Sequence, residues 1–316
     1  MNFADHPGQH EEEESVLASR ARAVSRSTWI SVAVNLLLTA VQIWIGTVAR
    51  SQALVADGIH SLSDLLGDFL VLFASHHGKM DADRNHPYGH QRFETAASLA
   101  MGALLLSIGG GMLWSAFVSL EDPGSVARVD IAALWVAIIV LASKELLFRV
   151  MMATAKRVKS SMLVANAWHS RSDAASSLVV AIGITGNLAG YPILDPIAAL
   201  IVGFMVAKMG WTFGWNALND LMDRAVNQEE VEAIERTLEE TPGVMNVHDV
   251  RTRMMGDMII VDAHIAVDAA ISVEAGHDIA VLARDRVMAR HRVLDLLAHV
   301  DPWHKPDLDH EVRRPG

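Results

Sequence analysis

Six long apolar stretches follow one another along the chain, at approximately residues 28–49, 53–75, 95–120, 131–155, 162–189 and 193–217. Each is near the ~20 residues that a helix needs to cross the hydrocarbon core of a bilayer. The pattern predicts six transmembrane helices. The first and third stretches hold no charged residue. The second carries Asp57, His60, Asp64 and Asp68, the fourth Lys144, Glu145 and Arg149, the fifth His169, Arg171 and Asp173, and the sixth Lys208. Polar residues in the second and fifth depress any window average, so hydropathy alone leaves those two ambiguous. From about residue 219 the pattern becomes that of a soluble domain. A helix is expected over 227–240, strands over 244–254 and 258–267 on either side of Gly256-Asp257, a second helix over 272–291 and a last strand over 294–300. In the second strand Ile259, Val261, Ala263, Ile265 and Val267 face one way, and Asp262, His264 and Asp268 the other, the period of a half-buried strand. The expected fold is an α-helical membrane protein with six transmembrane helices plus a small α+β (αββαβ) cytoplasmic C-terminal domain, its helices on one face of a sheet. The expected division is a flexible tail over 1–26, the six-helix domain over 27–218, the soluble domain over 219–302 and a loose tail over 303–316.

Charge sets the orientation. Arg20, Arg22 and Arg26 precede the first span, Lys79, Arg84 and Arg92 lie between the second and third, and Lys156, Arg157 and Lys159 between the fourth and fifth. The alternate loops hold only Arg50 and Arg128. The positive-inside rule then places both termini in the cytoplasm. Glu11 to Glu14 stand where a signal peptide would need a basic region and an apolar core, so no cleaved signal is expected. The net charge of −11 argues against a nucleic-acid partner. With no cysteine there is no disulfide framework, zinc ribbon or thiolate site, and the fifteen histidines become the main borderline metal ligands beside the carboxylates. His6 and His10 are expected to lie in a solvated tail.

One pattern occurs twice: Asp57-Gly-Ile-His60-Ser-Leu-Ser-Asp64 and Asn166-Ala-Trp-His169-Ser-Arg-Ser-Asp173. Positions i, i+3 and i+4 share a helix face, so each copy points a histidine and an aspartate the same way. Ionisable groups at membrane depth are costly and usually serve an ion pathway. Two His/Asp pairs supply four N/O ligands, the number and chemistry of a tetrahedral divalent site, with Zn²⁺ first among candidates. His60 lies ten residues beyond Arg50 and His169 ten beyond Lys159. At ~1.5 Å per residue both sit ~15 Å deep, near the midplane. Asp57, Asp68 and Asn166 are candidate supporting groups beside these ligands. Arg171 faces away and is expected to pair with an acidic group on a neighbouring helix.

Between the second and third spans Asp83, His86 and His90 flank a Pro87-Tyr88-Gly89 turn. Their chemistry suits a divalent metal, and equally a polar loop in which they act as caps. In the soluble domain His264 lies on the polar face of its strand and His248, His277, His299 and Asp301 fall at or near element edges, where each histidine taken alone is an ordinary surface residue. His304 and His310 lie in the loose end. There is no GxxxxGK[ST] for a nucleotide and no HExxH for an intramembrane metalloprotease. A channel would release an ion faster than four ligands permit. A metal sensor or scaffold that binds without transporting shares the same ligands.

Over roughly residues 20 to 302 the chain resembles the cation diffusion facilitators, proton-coupled exporters of divalent metals. The resemblance implies a transport site at His60, Asp64, His169 and Asp173, and a second site at Asp83, His86 and His90. It also implies a binuclear site in the soluble domain on His248, His264, His277, His299 and Asp301. Some bacterial members carry Asp at the position of His60, whereas the His-Asp-His-Asp set resembles that of zinc-preferring members. The implied protein is a homodimer of the bacterial inner membrane, no enzyme, with Zn²⁺ as cargo and as a structural or regulatory ion, and protons as counter-ion. Fe²⁺, Co²⁺, Ni²⁺, Cd²⁺ and Mn²⁺ are the alternative cargoes. Arg92 and Asp223 occupy the positions of a basic–acidic interlock that holds the family's dimer near the membrane surface.

Overall fold

Long uninterrupted apolar runs without an internal proline favour helix, because a helix satisfies its backbone groups within itself. The structure is a computed structural model that describes residues 31–303, apart from residues 79, 81, 123, 125, 159 and 160. The tails with His6, His10, His304 and His310 lie outside the described residues, as do the side chains of Asp68 and Asn166. Six long helices come first: α1 (Ser31–Val48), α2 (Gln52–Gly78), α3 (Arg92–Glu121), α4 (Ile131–Val158), α5 (Ser161–Leu188) and α6 (Leu194–Leu221). Of these, α1, α3, α4 and α6 are long and apolar enough to cross a membrane by length and composition. The other two are as long, at 27 and 28 residues, but carry the two copies of the polar motif. These are the two helices that hydropathy leaves ambiguous.

The chain forms two compact units, one of residues up to Leu70 with Met101–Thr212, the other of Val71–Ala100 with the residues from Phe213 onward. In the first unit, small residues set the packing. Ala49, Ala53, Leu54, Ala56, Val180, Ile184, Ala198 and Val202 form one buried cluster. A Cβ on Gly109 would come within 2.6 Å of the Ala207 backbone nitrogen, so α3 and α6 touch there because no side chain stands between them.

In the second unit, Asn227 caps α7 (Gln228–Glu239), its side chain accepting from the Glu230 N–H. Strands β1 (Asn246–Met255) and β2 (Met258–Asp268) pair antiparallel across Gly256-Asp257. Gly256 has φ +65°, as a two-residue turn with glycine at its first central position requires. Ser272 caps α8 (Val273–Arg290), the crossover from β2 to the parallel strand β3 (Val293–Trp303). The sheet order is β1-β2-β3. Ile259, Val261, Ala263 and Ile265 of β2 pack with Ile234 and Leu238 of α7 and Ala283 and Val287 of α8. The helices thus cover one face, and the face with Asp262 and His264 is left for chemistry.

Candidate metal centres

In the first unit, the motif on α2 meets the motif on α5. A nitrogen of His60 and carboxylate oxygens of Asp64 and Asp173 lie within 4.8 Å of one another. His60 Nδ1 is 3.6 Å from Asp64 Oδ2, and His169 Nε2 is 3.8 Å from Asp173 Oδ2. Ligands bound to one zinc ion at ~2.0–2.2 Å are separated by about 3.5 Å, close to both spacings. His60 and the two aspartates are largely shielded, whereas the His169 side chain is 52% exposed and adjoins the group beside Asp173. Three of the four expected ligands therefore stand together and the fourth stands beside them. His60 Nδ1 is buried with no hydrogen-bond partner among the described residues. An orphaned imidazole nitrogen costs free energy that a bound cation would recover. A cavity of about 50 Å³, lined among others by Asn35, Asp64, Lys144, His169 and Asp173, gives room for an ion and a water.

Asp57 lies one turn before His60 and is buried, but it is fully engaged by protein. Its Oδ2 accepts from Gln42 Nε2 (2.5 Å) and Ser177 Oγ (2.7 Å), and its Oδ1 from Ser176 Oγ (3.0 Å). Lys144 Nζ approaches Oδ1 at 3.7 Å. This ammonium also donates to Ser177 Oγ (2.9 Å), Ser61 Oγ (3.2 Å) and the Asp173 carbonyl (3.5 Å). Asp57 is thus a hub tying α1, α2, α4 and α5 together behind the ligands. Ser176 and Ser177 went unnoticed in the sequence, although they follow Asp173 by three and four residues and so share its helix face. Arg171 points away from the site. Where an acidic partner was expected, its guanidinium lies over the rings of Phe148 and Trp168, at 4.7 and 5.4 Å.

In the second unit, the loop residues converge around their turn. Asp83 Oδ1 is 3.3 Å from His86 Nδ1, and Asp83 Oδ2 is 3.5 Å from His90 Nε2. Gly89, at φ +87°, closes the turn by donating to the His86 carbonyl. Asp83 Oδ1 also accepts the backbone N–H groups of His86 (2.6 Å) and Asn85 (2.7 Å). The His86 N–H, with that of Asn85 behind it, holds the Asp83 carboxyl below the usual carboxylate range. The same Asp83 carboxylate caps the turn and faces two imidazoles. Nearby, Arg92 Nη2 donates to Asp223 Oδ1 at 2.8 Å.

The sheet assembles the third group. Strand register sets His248 of β1 opposite His264 of β2, and His264 beside His299 of β3. The ring centroids are 5.3 and 4.7 Å apart, so three imidazoles form a row across the polar face. Asp301, two residues beyond His299 and hence on the same side, serves the whole row. Its Oδ2 lies 2.9 Å from His264 Nδ1 and 3.3 Å from His248 Nε2, and its Oδ1 3.3 Å from His299 Nε2. The hydrogen bond from His264 lowers the Asp301 carboxyl below its ordinary range. Such a donor set suits a divalent cation. His277 is exposed on α8, next to Gly276, which packs against Val300 and Val267. The structure does not bring it to the row.

Two family profiles match the chain. "Cation efflux transmembrane domain" covers residues 28–222, and "Cation efflux protein, cytoplasmic domain" covers residues 226–303. Among similar proteins, Metal tolerance protein C1 of Arabidopsis thaliana is 32% identical over 81% of this chain, which spans 58% of that longer protein's length. An uncharacterized transporter of Methanocaldococcus jannaschii is 34% identical, covering 89% of this chain and 99% of its own. The manganese efflux system protein MneS of Bacillus subtilis is 29% identical, covering 86% and 93%. With the first profile spanning more than half of the residues and the archaeal relative aligned almost end to end, the chain belongs to the cation efflux family of membrane transporters, the cation diffusion facilitators.

Proposed function

We propose that the chain exports divalent metal ions from the cytoplasm in exchange for protons, with Zn²⁺ as main cargo. In this reading all six long helices cross the bacterial inner membrane, both termini are cytoplasmic and the working unit is a homodimer. The observation that carries it is the convergence of His60, Asp64 and Asp173 from α2 and α5, with a buried imidazole nitrogen that makes no hydrogen bond among the described residues. His169 closes the set from beside Asp173. Ligation needs neutral imidazole and ionised carboxylate, so metal and protons compete for the same atoms. Metal binds where protons are scarce, and protons displace it where they are abundant. The resemblance of the ligand set to zinc-preferring members favours Zn²⁺. A relative named for manganese efflux favours Mn²⁺ as the second reading.

The sheet residues fit a resident ion as well. His248, His264 and Asp301, with His299 beside them, would hold a divalent ion whose role is to tighten the cytoplasmic ends against each other.

The test is flux in proteoliposomes under an imposed pH gradient. Zn²⁺ uptake into vesicles should depend on the gradient and should collapse in Asp173→Ala. Native-rate transport by that variant would remove the proposed site. A competition series of Zn²⁺ against Mn²⁺, Fe²⁺, Co²⁺, Ni²⁺ and Cd²⁺ at fixed pH decides the cargo.

A further inference from the structure

We propose that Lys144 is a specificity-determining residue of the transport site. Its ammonium neutralises Asp57 and so tunes the net charge that the cargo meets beside Asp64 and Asp173. The inference rests on the transport-site reading above and deepens it.

Three aspartates stand around the site: Asp57 and Asp64 on α2, Asp173 on α5. Asp57 precedes His60 by three residues, so on spacing alone it is as well placed for a metal as Asp64. What marks Asp57 out is its pairing with a buried ammonium. Both Asp57 oxygens are taken by Gln42, Ser176 and Ser177, with Lys144 at 3.7 Å. The Lys144 side chain is 4% exposed and that of Asp57 1%. A lysine so buried needs a counter-ion and acceptors for its three protons. It finds Asp57, Ser61 Oγ, Ser177 Oγ and the Asp173 carbonyl. Two of these contacts belong to the repeated motif itself: Ser61 adjoins His60, and Asp173 is a ligand. Lys144 also lines the small cavity that Asp64, His169 and Asp173 share. A fixed positive charge is thus braced between the two ligand pairs and faces the place of the cargo.

The electrostatic consequence follows from this placement. Asp57 and Lys144 cancel, so Asp57 adds no net charge to the Asp64 and Asp173 carboxylates that face a dication. Removing the ammonium leaves a third uncompensated carboxylate within about a helical turn of the metal, where charges act through a low effective dielectric. The site would then hold the cation more tightly and release it more slowly. Removing the Asp57 charge alone leaves the ammonium uncompensated, which weakens binding.

The experiment measures Zn²⁺ binding and export with the full-length chain. Binding is the component of affinity that Asp173→Ala abolishes, which separates it from the loop and sheet clusters. Lys144→Met should tighten that component by roughly tenfold or more and slow export. Asp57→Asn should weaken it by a similar factor. The double variant Lys144→Met with Asp57→Asn should return toward native affinity and recover export relative to Lys144→Met, as a double-mutant cycle requires of coupled charges. Lys144→Arg, which keeps the charge, should stay nearer the native affinity than Lys144→Met. A merely structural role for Lys144 would impair both single variants in the same direction. Equal signs for the two singles, or a double variant no better than its worse parent, overturn the inference. If Lys144→Met does not fold, Asp57→Asn and the double variant still carry the test, since unchanged or tighter binding in Asp57→Asn overturns it alone. Should Asp173→Ala remove no binding component and leave export at the native rate, the transport-site reading fails instead.

Discussion

Asp195 should be the strongest single support of α2, the helix that carries His60 and Asp64. It stands in the first turn of α6 and is buried. Its Oδ1 accepts from Ser51 Oγ at 2.6 Å, and its Oδ2 accepts the N–H groups of Gln52 (2.7 Å) and Ala53 (3.3 Å). Ser51 in turn caps α2, its Oγ accepting the Leu54 N–H at 3.1 Å. The opening N–H groups of a helix have no intrahelical partner, and a carboxylate there also meets the positive end of the helix dipole. Asp195→Ala strands three donors among buried neighbours. Each abandoned buried donor costs about 1–3 kcal/mol, so with some relaxation the loss is roughly 3–5 kcal/mol. For a unit of this size, at about 2–4 °C per kcal/mol, the melting temperature should fall by roughly 10 °C. Ser51→Ala, which leaves two of the three bonds to Asp195 but loses the cap, should cost about 1–2 kcal/mol. The assay is thermal denaturation of the purified chain in detergent, with Zn²⁺ flux beside it. Flux should fall with stability because the ligands ride on the helix whose start has frayed. A melting temperature for Asp195→Ala within about 2 °C of the parent, or a larger loss for Ser51→Ala, would refute the reasoning.

Two predictions concern the second unit. Asp301→Ala removes the one acceptor common to three imidazoles, so added Zn²⁺ should raise the melting temperature of the parent but scarcely that of the variant. An ion at a hundred times its dissociation constant stabilises a folded site by about 2.7 kcal/mol, which makes the difference measurable. His291 supplies a pH test. Burial, reinforced by the neighbouring Arg290, pushes its imidazole below the ordinary 6.5, and its Nε2 lies 2.8 Å from Thr237 Oγ1. The unfolded chain therefore takes up this proton at higher pH than the folded one. The stability it preserves is complete above pH 6.5 and is lost as pH falls from there through the folded value. Denaturation at pH 7.5 and 5.5 should show a smaller acid loss in His291→Gln than in the parent.

What the chain disclosed in one dimension was whatever depends on local spacing. The helix bounds follow from apolar runs, the αββαβ order from periodicity, and the two ligand pairs from an i, i+4 repeat that any helix turns into a shared face. What stayed hidden depends on pairing between distant segments. His248, His264 and His299 look like separate surface histidines, because only strand register makes them a row, and that register shifts between His248 and Arg251. Asp195 gave no signal at all, since its partners lie more than 140 positions away. Asp57 is the most instructive case. Spacing made it the equal of Asp64, and both stand one helical turn from His60. The difference lies in what surrounds each group. Gln42, Ser176 and Ser177 saturate the Asp57 carboxylate, while Asp64 faces His60 Nδ1, a buried nitrogen that makes no hydrogen bond among the described residues. A buried polar group that the protein has satisfied belongs to the scaffold, and one left without a hydrogen bond calls for an explanation, of which a bound ligand is one. Within the first motif that contrast separates Asp57, held by three hydrogen bonds, from His60 with no appeal to relatives.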